Sequence, residues 1–256
     1  MKTLVISDIH VGLATSKYKE FIEFFQKTIG EYDKVILLGD IIQGVFHKFT
    51  DDEMKFFDLL STAKDVVYII GNHDNDSSDG KEYSIDEVKI YIQSLFKKKI
   101  TIEEEYYFHH KDKKYIFLHG HQFMSEDKSI GIKVAKGFYK LQMKFGSKYS
   151  SIFNIFDKIE RVSSSAIKKV REGARDYLSV NEWKNLSNVN TYSYLFCGHS
   201  HQIDVYSHHI ISKAMYFNDG QWLRNETNFI EIDDGVVNIY NYNIKTKHAK
   251  LVKRWS

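Results

Sequence analysis

Four times in its first half the chain runs through a short apolar stretch that stops abruptly at glycine, aspartate, asparagine or histidine. Thr3–Ser7 leads into Asp8-Ile9-His10, and Val35–Leu38 into Gly39-Asp40. Val66–Ile70 leads into Gly71-Asn72-His73-Asp74, and Tyr115–Leu118 into His119-Gly120-His121. A fifth run, Tyr194–Cys197, leads into Gly198-His199-Ser200-His201. Short apolar or β-branched runs bounded by turn residues read as buried strands. Between the early runs, Phe21, Ile22, Phe24, Phe25 and Ile29 form a helical stripe within Tyr18–Ile29, and Met54, Phe57 and Leu60 do the same within Asp52–Leu60. Strands alternating with helices restrict the chain to an α/β fold with largely parallel strands.

The pattern changes after about residue 190. Tyr194–Cys197, Ala214–Asn218, Asn228–Ile232 and Val236–Tyr242 are strand-like and closely spaced, with Asp233-Asp234-Gly235 as a hairpin turn. They are expected to form a second, more antiparallel sheet packed face to face on the first, with helices outside. From Ser125 to about Asn190 there is no strand signal. Ile130, Val134, Phe138, Leu141 and Phe145 fall at helical spacing, as do Ile152, Phe156, Ile159 and Val162. The expectation is one domain over residues 1–256 with a helical insertion at about 125–190.

A formal net charge of +2 gives no bulk electrostatic reason to bind nucleic acid. The single cysteine, Cys197, excludes an internal disulfide framework and fits a small core residue in a reducing compartment. The start, MKTLVISDIH, lacks a signal-peptide pattern, and no apolar run approaches the roughly 18 residues that span a bilayer. The expected location is cytoplasmic, with room for a peripheral contact at the inner membrane face. Proline is absent, so turns rest on Gly, Asn and Asp.

The chemistry sits at the strand ends. In open α/β sheets ligands bind beyond the carboxyl ends of the strands, so the five polar clusters are expected to face one crevice. Together they supply two carboxylates, an amide oxygen and several imidazoles. That mixed set suits Mn, Fe, Zn or Co better than Ca or Mg, which favour all-oxygen shells. Two ions about 3.5–4 Å apart need a bridging group, and Asp40 is the candidate. Gly39, Gly71, Gly120 and Gly198 flank the ligands where a Cβ would collide or φ is positive. His73 follows Asn72 and precedes Asp74, which is placed to accept a bond from its ring and fix its tautomer. Both are candidate catalytic residues, with His73 acting on the phosphoryl group or the leaving oxygen. His121 is a candidate substrate contact.

Motif for motif, Asp8-x-His10, Gly39-Asp40, Gly71-Asn72-His73-Asp74, His119-Gly120-His121 and Gly198-His199-x-His201 resemble the calcineurin-like metallophosphoesterase superfamily. The resemblance covers about residues 1 to 240 and implies a four-layer α/β/β/α sandwich. It implies one metal held by Asp8, His10, Asp40 and His201, and a second held by Asp40, Asn72, His119 and His199. It also implies two divalent ions, Mn first among them, and a bridging water that attacks phosphorus in line.

Within the superfamily the layout is most similar to the UDP-2,3-diacylglucosamine diphosphatases of lipid A synthesis. Motif spacing, the helical insertion and the segment Tyr216-Phe217-Asn218-Asp219-Gly220-Gln221-Trp222 carry that similarity. The likeness implies release of UMP and a lipid 1-phosphate from a nucleotide-lipid substrate. His73 and His121 depart from it, standing where those enzymes usually have arginine and aspartate. In the insertion, Phe138, Tyr139, Leu141, Met143 and Phe145 interleave with Lys133, Lys136, Lys140 and Lys144, a pattern suited to an acyl-binding, interface-seeking lid. Lys133, Lys136 and Arg224 are candidate phosphate contacts. Two other readings stay open: a broader phosphodiesterase or nuclease acting on nucleotides or DNA, and a metal-binding scaffold without catalysis.

Overall fold

The computed structural model describes residues 1–77, 81–123, 168–175, 192–207 and 214–256. Its first sheet has seven strands in the order β12-β11-β10-β1-β2-β3-β4. These are β1 (Lys2–Ile6), β2 (Lys34–Leu38), β3 (Val66–Ile69), β4 (Thr101–Glu103), β10 (Asn228–Asp233), β11 (Val236–Asn243) and β12 (His248–Trp255). The second sheet has the order β5-β6-β7-β9-β8, built from β5 (Glu105–His110), β6 (Lys113–Leu118), β7 (Tyr192–Cys197), β8 (Ile203–Ser207) and β9 (Ala214–Asp219). Both sheets are mixed. β1 to β4 run parallel, as do β6, β7 and β9, while β5, β8, β10, β11 and β12 pair antiparallel to their neighbours.

Alternation along the strands builds the layers. Val5, Ile36, Leu38, Val67 and Ile69 point from the first sheet to meet Tyr115, Phe117, Tyr194, Phe196 and Phe217 from the second. Their neighbours Leu4, Ile6, Val35, Leu37 and Tyr68 point the other way, against the helices α1 (Tyr18–Thr28), α2 (Asp51–Leu60) and α3 (Ile85–Leu95). On the far side Ile116, Leu118, Leu195 and Cys197 pack with Val170 and Ala174 of the helix at 168–175. Strands buried on both faces lose the polar alternation of a surface sheet, which is why their sequences read as continuous apolar runs. The result is the expected α/β/β/α sandwich.

The allocation of strands differs from the sequence expectation. The late strands do not all form the second sheet. Tyr115–Leu118 belongs to that sheet as β6, whereas β10 and β11 return to the first, pairing Thr3 with Ile232 and Val5 with Ile230. Apolar periodicity marks a strand as buried but does not say which sheet buries it. The Asp233-Asp234-Gly235 turn forms as expected, with φ of 46° at Asp234 and 95° at Gly235, as a two-residue hairpin requires. Helices α2 and α3 start at capping boxes, Thr50 with Glu53 and Ser84 with Glu87.

The lid residues Lys133 and Lys136 lie outside the described residues, as does the expected insertion apart from the helix at 168–175. That helix is pinned by Arg171, whose Nε and Nη2 donate to the Asp204 carboxylate at 3.0 and 2.7 Å. Among the described residues no helix is long and apolar enough to cross a membrane.

Candidate metal centre

The five polar clusters follow β1, β2 and β3 of one sheet and β6 and β7 of the other, so the crevice lies where the carboxyl ends of two sheets meet. The turns that leave these strands are tight. Asp8, His10, Asp40, His199 and His201 all have φ between 51° and 63°. That left-handed conformation is uncommon for residues other than glycine and persists only where the surroundings impose it. Here the surroundings are the neighbouring turns: Asp8 N donates to Gly39 O at 3.0 Å, His10 N to Asp40 O at 3.0 Å, and Trp222 N to Asp8 O at 3.1 Å. Gly39, at φ 85°, lies so close to the His119 ring that a Cβ would run into it. At Gly71 a Cβ would strike the Asp40 carboxylate.

Four buried ligand candidates, Asp8, His10, Asp40 and His119, each have one half anchored and the other half without a partner. Asp8 Oδ2 accepts from Ser7 Oγ at 2.5 Å and His199 N at 3.0 Å. Asp40 Oδ1 accepts from His73 N at 2.8 Å. His119 Nδ1–H donates to Leu38 O at 2.9 Å, and His10 Nδ1–H to Gln43 Oε1 at 2.7 Å. These bonds fix the tautomer that leaves Nε2 as the lone-pair donor. The remaining atoms, Asp8 Oδ1, His10 Nε2, Asp40 Oδ2, Asn72 Oδ1 and His119 Nε2, are buried with no hydrogen-bond partner.

Native interiors leave only a few such atoms per hundred residues, and five on the clusters that end β1, β2, β3 and β6 point to cations. His119 Nε2 lies 3.1 Å from Asp40 Oδ2, and His201 Nε2 lies 3.1 Å from Asp8 Oδ1. His10 Nε2 is 3.8 Å from Asp8 Oδ1 and 3.9 Å from Asp40 Oδ2. Three groups of side chains bring their ligand atoms together: Asp8, His10 and His201; Asp40, His119 and His199; and His10, Asp40 and His73. Asp40 shares two of the three groups, as a carboxylate between two ions would.

The charges in the metal-free site respond to the crowding. Burial would lower His119, but Asp40 and Asp8 outweigh it and push the imidazole up to about 10. Burial, reinforced by His119, holds His199 down at about 3 and His121 at about 4. Despite burial, the histidines hold Asp40 and Asp8 well below the ordinary carboxylate range. Ionised carboxylates stand beside imidazoles of which His199 is held neutral, and once His119 gives up its proton the set becomes a divalent-cation donor set.

His73 is positioned by a residue that the sequence did not flag. Gln43 accepts from His10 through Oε1 and donates through Nε2 to His73 Nδ1 at 3.2 Å. This leaves the His73 hydrogen on Nε2. The bond expected from the His73 ring to Asp74 is not made. Asp74 is fully buried, and its oxygens accept from Asp40 N, Ile42 N, Gly71 N and Tyr68 Oη at 2.7–3.0 Å. Asp74 thus ties the two ligand loops together, a framework role rather than a catalytic one. Asp76 Oδ2 lies 3.4 Å from His73 Nδ1, a contact without a hydrogen bond while that nitrogen accepts from Gln43.

His121 sits half-buried, its ring centroid 5.6 Å from His119 and 6.3 Å from His199. Arg224 lies in the turn after Trp222, at φ 58°, with its amide donating to Thr15 O at 3.0 Å. Gln43 had no signal beyond standing three residues after Asp40. Ser7 ended the first apolar run and Asp219 stood in the Tyr216–Trp222 segment, but neither pointed to the site by itself.

No curated protein sequence matches the chain. Among solved structures it is similar to Yfce, a phosphoesterase from E. coli, at 14% identity and a TM-score of 0.50, covering 100% of this chain and 98% of that one. It is also similar to GAP50, the anchor in the inner membrane complex of Plasmodium, at 11% identity and a TM-score of 0.51, covering 100% and 88%. At these identities the likeness shows the fold alone. The family model described as calcineurin-like phosphoesterase matches residues 1–203. With that match added to the fold and the site, the chain belongs to the calcineurin-like phosphoesterases, metal-dependent hydrolases.

Proposed function

We propose that the chain hydrolyses a phosphoester or pyrophosphate with two divalent ions, Mn²⁺ first among them, and that a nucleotide-lipid of the UDP-2,3-diacylglucosamine type is its substrate. The observation that carries the hydrolytic reading is the set of five buried, unpartnered ligand atoms, Asp40 Oδ2 among them, together with the groups of ligand atoms that meet at Asp40. The substrate reading rests on motif spacing and on the Tyr216–Trp222 segment. In this reading the whole chain is one domain, and the lid at about 125–190 takes the acyl chains and meets a membrane surface. Two bound ions supply Lewis acidity and a water acidic enough to attack phosphorus near neutral pH.

The protein residues do the rest. Asp8, His10 and His201 form one side of the donor set, and Asn72, His119 and His199 form the other. Asp40 stands between them. His73, with its hydrogen on Nε2, donates to a phosphoryl oxygen or the leaving oxygen. General acid or hydrogen-bond catalysis of this kind contributes about 10²–10⁴-fold. His73→Ala therefore lowers kcat by about 10²-fold or more while leaving Mn²⁺ affinity near that of the parent. Steady-state kinetics paired with a metal titration checks the split; equal loss of metal binding would make His73 a ligand instead.

Metal uptake is coupled to protons. His119 is raised to about 10 in the metal-free site, whereas a metal-ligating imidazole is neutral. The bound state therefore holds fewer protons, so affinity rises with pH until His119 has lost its proton. Isothermal titration in buffers of different ionisation heat is expected to show proton release at pH 7, and none would contradict the assignment.

A broader phosphodiesterase acting on nucleotides or DNA is the second reading, favoured by His73 in the place of the diphosphatases' arginine. Phosphorus NMR with Mn²⁺ separates the two. UMP and a lipid phosphate from UDP-2,3-diacylglucosamine support the first, and turnover of a simple phosphodiester alone supports the second.

A further inference from the structure

The segment Asn218-Asp219-Gly220-Gln221-Trp222 closes over the back of the metal centre. Asn218 Nδ2 donates to Gly198 O at 2.5 Å, and Trp222 N donates to Asp8 O at 3.1 Å. Between these two bonds Asp219, fully buried, reaches Ser7. Ser7 Oγ lies 2.5 Å from Asp8 Oδ2, 2.8 Å from Asp219 Oδ1 and 3.5 Å from Gly220 O.

A serine hydroxyl carries one hydrogen. Two short contacts from it to carboxylate oxygens therefore need a second hydrogen, and one of the two aspartates must carry it. Asp8 is committed as an acceptor, because the same Oδ2 takes the His199 amide at 3.0 Å and Oδ1 faces His201 at 3.1 Å. Asp219 Oδ2, by contrast, has no hydrogen-bond partner among the described residues. A buried carboxylate with a bare oxygen is far more expensive than a buried neutral acid with the same vacancy.

We infer that Asp219 is a neutral carboxylic acid that donates to Ser7 Oγ, and that Ser7 in turn donates to Asp8 Oδ2, locking the Asp8 carboxylate with Oδ1 toward the first metal ion. The inference rests on the two-metal reading above. The direction of ionisation agrees with it: burial, and then the negative charge of Asp8, push the Asp219 carboxyl well above the ordinary range. Asp219 is a positioning residue. It touches neither metal nor substrate, and it keeps Asp8 a pure acceptor without adding a third negative charge to the site.

Asparagine mimics the protonated acid, because its amide offers Ser7 a hydrogen, whereas alanine offers none. Asp219→Asn is therefore expected to bind Mn²⁺ within about threefold of the parent, and Asp219→Ala to lose about 10–100-fold, the range seen when outer-shell partners of ligands are removed. Loss in Asp219→Asn as large as in Asp219→Ala would overturn the inference, as would unchanged binding in both. The infrared difference between the parent and Asp219→Asn, recorded without metal at neutral pH, reads the proton itself. A carboxylic-acid carbonyl band present in the parent and absent in the variant supports the inference. Its absence from the parent overturns it, even where Asp219→Ala fails to fold. A protein that binds no Mn²⁺ yet shows the band would sink the two-metal reading while leaving the Asp219 proton in place.

Discussion

Asp40→Asn is expected to abolish tight binding of paired metal ions and to lower kcat/KM by about 10³-fold or more. The size follows from what the ions supply. Stabilisation of the developing charge is worth several kcal/mol, and each 1.36 kcal/mol is tenfold in rate. On the proposed assignment Asp40 is the residue whose loss touches both ions, because its carboxylate lies with His119 and His199 in one group of ligand atoms and with His10 in another. The amide keeps the volume and can still accept the His73 N–H that Asp40 Oδ1 takes at 2.8 Å. The fold of the metal-free protein is therefore retained.

Stability gives an independent sign. Removing the charge relieves Asp74, which burial and then Asp40 push up to about 6. The same change takes from the histidines the carboxylate that they hold well below its ordinary range and that raises His119, so thermal unfolding without metal should show the variant less stable than the parent. The stabilisation gained by adding Mn²⁺, about 2.7 kcal/mol at a hundred times Kd, should vanish. A variant that binds two ions and turns over normally would remove Asp40 from the centre of the account.

Asp74→Ala is expected to act in the opposite way, through the fold. Four donors converge on this carboxylate: the amides of Asp40, Ile42 and Gly71, and the Tyr68 hydroxyl. A buried donor left without its acceptor costs about 1–3 kcal/mol, partly offset here because the buried carboxylate is itself unfavourable. With four donors affected and that offset, a net loss of about 3–5 kcal/mol follows. At roughly 2–4 °C per kcal/mol for a chain near this size, the melting temperature falls by about 10 °C. Asp74→Asn costs less. Its amide oxygen can face Asp40 N and Gly71 N, the Tyr68 hydroxyl can rotate to accept from the amide nitrogen, and only the Ile42 bond is lost. Equal melting temperatures for parent and Asp74→Ala would show that the two ligand loops hold their shape without this tie.

What the sequence made legible was the chemistry at strand ends. A strand such as Val35–Leu38 is apolar on both faces because it is buried on both, and the abrupt change to Gly39-Asp40 marks where it leaves the sandwich. The motif residues therefore announced both the fold class and the crevice. What stayed hidden depended on pairing across long sequence distances. Nothing local in Phe229–Ile232 says that it lies beside Leu4 and Val5 rather than beside Phe217. The short β4 and the half-exposed β5 escaped notice because an edge strand need not be apolar on both faces. Within the site, Asp74 was read as a partner for its neighbour His73, since adjacency is all a sequence offers. The folded chain gives that partnership to Gln43, thirty positions earlier. Ser7 and Asp219 were invisible for the same reason: 212 residues separate them, and only β1 and the end of β9 bring them together.

The central claim is that seven side chains from five strand ends hold two ions with Asp40 between them. Anomalous diffraction at the manganese edge from Mn²⁺-soaked crystals tests it most directly. The account predicts two peaks about 3.5–4 Å apart, one bounded by Asp8, His10 and His201, the other by Asn72, His119 and His199, with Asp40 touching both. A single peak, or a pair that leaves Asp40 untouched, would contradict it.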